Sequence, residues 1–300
     1  MSYYKQILWI FIFFTITTMI IIYLKMIVIY HPQSPKLDKY NRFFEKLTKL
    51  VSNIEYLKIQ YVETPDNFMI DSIYLKNPDS SHCIIFYHGN GGNISMRYEM
   101  IKFLYNYASV FIFDYRAYGR SSGEDIDLNC HALQTDSITA WNYVTQKLNY
   151  KPNKISLIGE SLGCSLAIYV ASEVSKTSDS DNYPYSVVLN SPFFSLESMT
   201  LTTFNKIGLN FIGYILSFFT STEYKSSEWI NYINYQTKII IAHSIRDEVI
   251  PFTEATKLFN QLKNNHVNQD NIKFISITGT HNNLGLTDEY IYSLADLFNE

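Results

Sequence analysis

Cysteine is scarce in this 300-residue sequence, and so are the runs of like charge that mark a nucleic-acid-binding protein. Cys83, Cys130 and Cys164 lie far apart, without a CxxC pair and without histidine at metal-ligand spacing. This pattern excludes a zinc motif, so we expect three buried free thiols and no metal site. The net charge of -4 comes without a long basic or acidic stretch, which excludes the electrostatic footprint of a nucleic-acid partner.

Internal repeats and low-complexity segments are also missing. Apolar residues, by contrast, make up 47% of the chain, enough to bury a substantial core. The length permits one large domain or two small ones, and one large domain is the expectation.

The N-terminus carries the one long apolar run. Residues 7–24 are eighteen residues without a charge, and as a helix they would rise ~27 Å, close to the thickness of a bilayer core. We therefore predict a single-pass transmembrane anchor over residues 1–30, with membrane lipid as its partner. A cleaved signal peptide and a buried helix are alternatives, but no small-x-small site follows the run. More basic residues follow it than precede it, which favours a cytosolic domain but leaves the side open.

Past the anchor, the sequence divides into a linking segment and a folded domain. Residues 31–53 carry two prolines and then an amphipathic stretch, which predicts a tether that ends in a short helix. Residues 54–300 form the predicted domain. It opens with β-branched and aromatic runs at 54–62 and 68–75, and the turn residues at 64–67 between them predict a β-hairpin.

Beyond this hairpin, six apolar runs recur without alternation, as in strands that are covered on both faces. They alternate with five stretches of helical periodicity, which indicates a parallel sheet. We therefore predict an α/β fold with an eight-stranded, mostly parallel sheet and helices on both faces. The predicted strands are 83–88, 109–115, 154–160, 185–191, 238–244 and 272–278, and the predicted helices are 94–107, 132–148, 162–175, 253–265 and 287–299.

One connection between predicted strands is unusually long. It covers about residues 193–237 and contains the apolar stretch FNKIGLNFIGYILSFF at 204–219. Long ordered insertions are usually functional, so we predict a lid. The alternative is that the aromatic residues of this stretch are ordinary core packing. Lys206 shortens the apolar run, so a second membrane span is not expected.

The sharpest chemical signal is a GxSxG sequence formed by Gly159, Ser161 and Gly163. Glycine is also scarce, at 11 residues, so this spacing seldom arises by chance. The motif directly follows a predicted strand and directly precedes a predicted helix, as a nucleophile elbow requires. A strained turn leaves no room for Cβ atoms two positions before and after the nucleophile. We therefore predict Ser161 as a catalytic nucleophile.

A serine nucleophile needs a histidine base that a carboxylate orients. Functional groups of a parallel sheet lie just beyond the carboxyl ends of its strands. His281 follows the last predicted strand on a glycine-containing loop and is the predicted base. Asp247 follows the preceding strand, between serine and histidine in chain order, and is the predicted acid. Glu248 and Glu197 remain the alternatives for the acid.

A developing oxyanion needs backbone N–H donors near the nucleophile. The segment HGNGGN at 88–93 directly follows a predicted strand, and its glycines allow the backbone to approach closely. We assign the donors to the backbone N–H groups of Asn90 and Leu162. A glycine-rich loop can also cradle phosphate, but neither a Walker A nor a GxGxxG pattern is present.

Together these segments resemble the membrane-anchored α/β-hydrolase-domain proteins, a family of single-pass serine hydrolases. The resemblance covers residues 54–300. Its departures are small: Ala117 stands where the family usually has glycine, Ser244 follows His243 in place of glycine, and Asn283 stands where aspartate is common. The segments that carry it are FYHGNGGNI (86–94), FDYRAYGRSSG (113–123), GESLG (159–163), HSIRDEVIP (243–251) and GTHNNL (279–284).

The resemblance implies an α/β-hydrolase fold, no cofactor, and cleavage of acyl esters or thioesters, in some members on lipids or lipidated proteins. The leading hypothesis is therefore a membrane-tethered acyl ester or thioester hydrolase with a Ser-His-Asp triad. One alternative is a catalytically idle scaffold that serves as a membrane-tethered binding module. Another is a serine peptidase on the same scaffold, which shares the triad and which the sequence does not separate from an esterase.

Overall fold

The computed structural model describes most of the chain, including the whole predicted domain except for a few residues. The described residues are 4–5, 7–12, 15, 29–177, 181–265 and 268–298. None of the helices within these ranges combines the length and apolar character needed to cross a membrane. Most of the predicted anchor over residues 1–30 lies outside the described residues.

A single large sheet organises the domain, and it confirms the predicted α/β class with mostly parallel strands. Nine strands of the described residues join in the order β1-β2-β4-β3-β5-β6-β7-β8-β9. Strands β3 to β8 are parallel, while β1, β2 and β9 are antiparallel to their neighbours. The strands are β1 (Leu57–Glu63), β2 (Met69–Leu75), β3 (Cys83–Tyr87), β4 (Ser109–Phe113), β5 (Ile155–Glu160), β6 (Ser186–Asn190), β7 (Lys238–Ser244), β8 (Ile272–Thr280) and β9 (Asn283–Gly285).

Eight of these strands match the predicted ones within a few residues, and β9 is the addition. Its three residues pair with the end of β8 and carry no pattern that predicts a strand. The helices are α1 (Leu37–Leu50), α2 (Tyr98–Tyr105), α3 (Cys130–Gln146), α4 (Leu162–Ser175), α5 (Leu196–Lys206), α6 (Asn210–Thr220), α7 (Ser226–Trp229), α8 (Phe252–Asn265) and α9 (Asp288–Phe298). The helix predicted at 94–107 begins only at Tyr98, because a 3-10 turn capped by Asn93 precedes it.

Helices cover both faces of the sheet, as the unbroken apolar strands predict. Helices α3, α4 and α8 pack against one face, and α1, α2 and α9 pack against the other. Within β3, Ile85 belongs to the first core while Ile84 and Phe86 belong to the second, which is the alternation of a pleated strand. The three cysteines are buried, as expected from their spacing.

The segment predicted as a tether contributes to the second of these cores. Its predicted helix is α1, which buries Tyr40, Phe43 and Leu47. The Tyr40 hydroxyl donates a hydrogen bond of 2.6 Å to the carboxylate of Asp71, which is fully buried in β2. Much of the segment 31–53 therefore packs on the domain in addition to linking it to the N-terminus.

The loop after β4 links distant parts of the fold through buried charges. The Arg116 guanidinium pairs with Asp66 of the β1–β2 turn at 2.6 Å and with Asp136 of α3 at 2.7 Å. Hydrogen bonds from Arg116 lower the pKa of Asp66 to about 2. Arg120 pairs with the buried Asp71 at 3.0 Å. Because removing one partner of a buried pair leaves an uncompensated charge, this loop fixes the hairpin and α3 relative to the sheet.

Ala117, in the same loop, adopts the left-handed backbone region with a φ of 62°. This conformation costs a non-glycine residue about 1–2 kcal/mol, and the family's glycine would not bear that cost. Glycine also gives the unfolded chain more conformational entropy than alanine does, which offsets part of the gain in stability. We therefore expect Ala117→Gly to raise the free energy of unfolding by up to about 1 kcal/mol. Denaturant unfolding measures this change, and the dependence of the free energy on denaturant concentration should stay the same.

The matched control is Ala140→Gly in the middle of α3, where glycine should lower the free energy of unfolding by about 1 kcal/mol. A loss of stability in Ala117→Gly would show that the left-handed backbone at this position carries no strain.

Candidate active site

Ser161 lies on a sharp turn between β5 and α4, with a φ of 52° and a ψ of -116°. A Cβ atom at Gly163 would lie 2.1 Å from the carbonyl oxygen of Tyr87, and one at Gly159 would lie 2.6 Å from the Cα of Cys164. Real Cβ atoms do not approach this closely, so both positions require glycine. The turn has the geometry of a nucleophile elbow.

The structure brings the predicted serine, histidine and aspartate into one hydrogen-bonded chain. His281 Nε2 lies 3.1 Å from Ser161 Oγ, and His281 Nδ1 lies 2.8 Å from Asp247 Oδ2. A carboxylate only accepts hydrogen bonds, so Nδ1 carries the proton and the lone pair of Nε2 faces the serine hydroxyl. This arrangement suits proton transfer from serine to histidine.

Several contacts hold the Asp247 carboxylate in its charged form. Its Oδ1 accepts the backbone N–H groups of Val249 and Ile250 at 3.0 and 2.8 Å. Burial alone would raise the pKa of Asp247, but the hydrogen bonds from His281 and Ile250 outweigh it and hold the pKa below its ordinary value. The stability that Asp247 contributes is therefore fully present above the ordinary aspartate pKa, and it is lost as the pH falls through the lowered pKa of the folded state.

The two alternative acids occupy other positions. Glu248 accepts the backbone N–H of His281 at 3.1 Å, so it contacts the histidine main chain and not the ring. Glu197 lies on α5 and lines a separate cavity beside α6. Among the three carboxylates, Asp247 is the one that contacts the imidazole ring of His281.

His243 is a neighbour of the acid that the sequence analysis did not select. It lies in β7, its side chain is fully buried, and its Nε2 donates to the Ile250 carbonyl at 3.0 Å. The same nitrogen lies 3.4 Å from Asp247 Oδ2. Burial lowers the pKa of His243, so it supports the acid as a neutral dipole. In the sequence, only its position at a strand end, four residues before Asp247, pointed to a role beside the acid.

The predicted oxyanion loop, residues 88–93, lies against the elbow. A Cβ at Gly89 would sit 3.5 Å from the Cβ of Ser161. The Asn90 N–H has no hydrogen-bond acceptor among the described residues. Leu162 is the first residue of α4, so its N–H has no partner within the helix. Both assigned donors are therefore available to a ligand at Ser161.

A buried histidine–aspartate pair, which the sequence analysis did not predict, also supports the oxyanion loop. His88 Nδ1 donates to the Gly89 carbonyl at 2.7 Å, and His88 Nε2 lies 3.3 Å from Asp114 Oδ1. The same Asp114 oxygen accepts the Ile94 N–H at 2.9 Å. Burial raises the pKa of Asp114. These contacts fix both ends of the loop to the strand end at β4.

Two cavities of different character meet at Ser161 and Asn90. One, of about 450 Å³, is lined by both polar and apolar groups, and we call it the polar cavity because it contains Arg97 and Glu160, whose Nε and Oε2 atoms lie 3.6 Å apart. The other, of about 580 Å³, is almost entirely apolar. Its other lining residues are Ile29, Leu162, Phe193, Leu196, Met199, Thr200, Thr203, Phe204, Leu216, Phe219, Thr220, Val249 and Ile250.

A parallel sheet in this order, with a serine on a strained strand-to-helix turn, defines the class of α/β hydrolases. A family model of the alpha/beta hydrolase fold matches residues 83–223. Protein R595 of Acanthamoeba polyphaga mimivirus is 52% identical over 282 residues, covering 93% of this chain and 94% of that protein. The chain therefore belongs to the α/β-hydrolase family.

Two further similarities extend over most of the chain. Protein bem46 of Schizosaccharomyces pombe is 27% identical over 254 residues, covering 83% of this chain and 78% of that protein. Among solved structures, the Pyrococcus furiosus esterase Pf2001 superposes with a TM-score of 0.63 at 17% identity, covering 90% of this chain and 96% of the esterase. At that identity the likeness shows the fold.

Because Asp247 and Glu248 make different contacts with His281, replacing each carboxylate by its neutral amide should change the labelling rate differently. Asp247→Asn should lower the rate of serine labelling by a fluorophosphonate on the order of 10³-fold or more, because the amide favours the wrong histidine tautomer. Glu248→Gln is the matched control: its amide oxygen can still accept the His281 N–H, so the rate should stay within about threefold. Equal rates in Asp247→Asn and the wild type would remove Asp247 from the candidate triad.

Proposed function

We propose that the protein is a serine hydrolase that cleaves carboxylic acyl esters or thioesters. The observation that carries this proposal is the chain of hydrogen bonds from Ser161 through His281 to the buried Asp247. The family and the fold indicate a hydrolase. A structural relative with the same fold is described as an esterase, which favours acyl ester chemistry over peptide cleavage.

In the proposed mechanism, Ser161 Oγ attacks the acyl carbonyl carbon while its proton passes to His281 Nε2. The N–H groups of Asn90 and Leu162 bind the oxyanion as it forms. The intermediate then collapses, and His281 returns the proton to the departing alcohol or thiol, leaving an acyl-enzyme. Water attacks this ester by the same route, with His281 as base, and releases the acid. Asp247 holds the histidine tautomer throughout.

The two cavities support an amphipathic substrate. The apolar cavity suits an acyl chain, since it buries hydrocarbon without leaving polar groups unpaired. The polar cavity offers Arg97, Glu160 and side-chain amides to a hydrophilic leaving group. A lysolipid, a monoacylglycerol or an S-acylated protein has this division into an apolar chain and a polar remainder.

The predicted insertion forms part of the apolar cavity. Its helices α5 and α6 pack closely, because Gly213 lies where a Cβ would meet Phe204 at 2.6 Å. The buried Glu254 of α8 accepts hydrogen bonds from the Phe194 N–H and the Ser198 hydroxyl. These contacts fix the start of α5, and the helical hairpin covers the acyl side of the site.

We also propose that α6 faces a lipid membrane. Its outer side chains are largely exposed to solvent and do not pack in the core. Phe211 is 75% exposed and Phe218 is 77% exposed. Exposed aromatic side chains of this density are typical of a surface that meets lipid or a partner. Ile29, five residues after the end of the apolar run at 7–24, lines the cavity together with Leu216 and Phe219 of the same hairpin.

The first experiment is fluorophosphonate labelling of the full-length protein, with Ser161→Ala beside it. We expect the wild type to label and the variant to remain unlabelled at equal expression, because Ser161 alone faces the base His281. Hydrolysis of a long-chain monoacylglycerol and of a palmitoyl thioester then separates ester from thioester activity. Failure of the wild type to label would favour the binding-module alternative.

A second experiment tests contact between α6 and lipid. In proteoliposomes, the double variant Phe211→Ser/Phe218→Ser should hydrolyse monoacylglycerol held in phosphatidylcholine vesicles about fivefold more slowly, since it loses apolar area that would insert into the interface. Hydrolysis of a water-soluble acetate ester should not change. Tyr292→Ser on α9, which is 70% exposed, is the matched control. Equal losses on both esters would indicate a change in the pocket and not in membrane contact.

A further inference from the structure

A short segment of the chain, Ile29–Gln33, lies directly along the oxyanion loop, and we call it the strap. It pairs with the loop as two parallel strands, with His31 opposite Gly91 and Pro32 opposite Gly92. The His31 N–H donates to the Asn90 carbonyl at 3.2 Å, and the Gln33 N–H donates to the Gly92 carbonyl at 3.3 Å. Two peptide groups of the loop are thereby held by the strap backbone.

Hydrogen bonds also run from the loop to the strap. The Asn90 side-chain amide donates to the Ile29 carbonyl at 2.7 Å, and the Asn93 amide donates to the Gln33 carbonyl at 2.8 Å. The loop is thus bound to the strap at Asn90 and at Asn93. Asn90 takes part through its side chain and its carbonyl, which leaves its N–H for the oxyanion.

The composition of the loop explains why such bracing matters. Gly89 lets the backbone approach the elbow, and together with Gly91 and Gly92 it gives the loop great conformational freedom. An oxyanion donor is effective only when it is held in place before the reaction. Outside the strap and the loop itself, the side chains of Tyr115, Tyr118 and Arg97 each donate one hydrogen bond to a loop carbonyl. The strap donates two hydrogen bonds to the loop and accepts two from it.

The strap is itself fixed to the insertion. The hydroxyls of Tyr30 and Tyr224 are hydrogen-bonded at 2.8 Å, and Tyr30 is 5% exposed while Tyr224 is fully buried. Ile29 lines the apolar cavity beside Ser161. The strap therefore touches the oxyanion loop on one side and the acyl side of the site on the other.

We infer that the strap is a positioning element for the oxyanion loop, so that the residues just after the N-terminal apolar run set the efficiency of the reaction. This inference rests on the proposed function. The strap contributes no atom to the substrate; it acts through the Asn90 peptide, whose orientation determines where the oxyanion donor points.

The test removes one strap hydrogen bond and leaves the side chains of the loop intact. His31→Pro in the full-length protein eliminates the N–H that binds the Asn90 carbonyl. His31→Ala, which retains that N–H, is the matched control, since the His31 side chain is exposed. We expect kcat to fall about tenfold in His31→Pro with KM within about twofold, because only the transition state uses the donor. His31→Ala should match the wild type within about twofold.

A transition-state readout separates positioning from stability. A trifluoromethyl ketone captures Ser161 Oγ at its carbonyl carbon, the proton passes to His281, and the resulting oxyanion occupies the donor site. Its affinity should fall about tenfold in His31→Pro, in parallel with kcat. Gln33→Pro against Gln33→Ala repeats the comparison at the other end of the strap.

Three results would overturn the inference. Proline variants that match their alanine controls in kcat and inhibitor affinity would show that the loop needs no brace. A weaker inhibitor affinity together with a higher KM would assign the strap to substrate binding. Loss of the folded state in the proline variants would assign the strap to stability. If the wild type itself does not label with a fluorophosphonate, the proposed function fails first, and this outcome is distinct from the other three.

Discussion

The close approach of helix α4 to the end of strand β3 is the constraint on which the site depends. At Gly163 the helix comes so near the Tyr87 carbonyl that no side chain fits between them. The chain must therefore turn within one residue, and Ser161 takes up a positive φ at the tip. Its N–H is held by the Asn190 carbonyl at 2.9 Å. The same contact brings the oxyanion loop, which directly follows β3, alongside the serine.

Around this contact, several polar groups of the site interact with one another. Asp247 accepts from the His281 ring and from two backbone N–H groups, with His243 close behind it. On the other side, His88 and Asp114 support the oxyanion loop. Hydrogen bonds between buried polar groups hold their geometry because breaking one leaves a costly unpaired group. Under the proposed function, these contacts surround the place where charge develops, and the cavities lie where substrate groups would bind.

Sequence alone predicted the parts that local pattern determines. Ser161, Asp247 and His281 each follow an apolar strand, so strand order was sufficient to nominate them, and the structure places them in contact. The strap was not predicted, because its partners are distant in the chain: Tyr30 and Tyr224 are 194 positions apart. Strand β9 was missed because three residues are too few to show a period, and His243 because its role depends on what packs beside it.

The meeting of two cavities at a single serine has a kinetic consequence. Under the proposed function, an acyl chain in the apolar cavity would leave the departing group in the polar cavity, which His281 also lines. Water can reach the acyl-enzyme only after that group has departed. Under the proposed function, products therefore leave in a fixed order, alcohol or thiol first and fatty acid last. A second alcohol that fits the polar cavity would compete with water for the acyl group, so the identity of the final acceptor is decided on the polar side of the site.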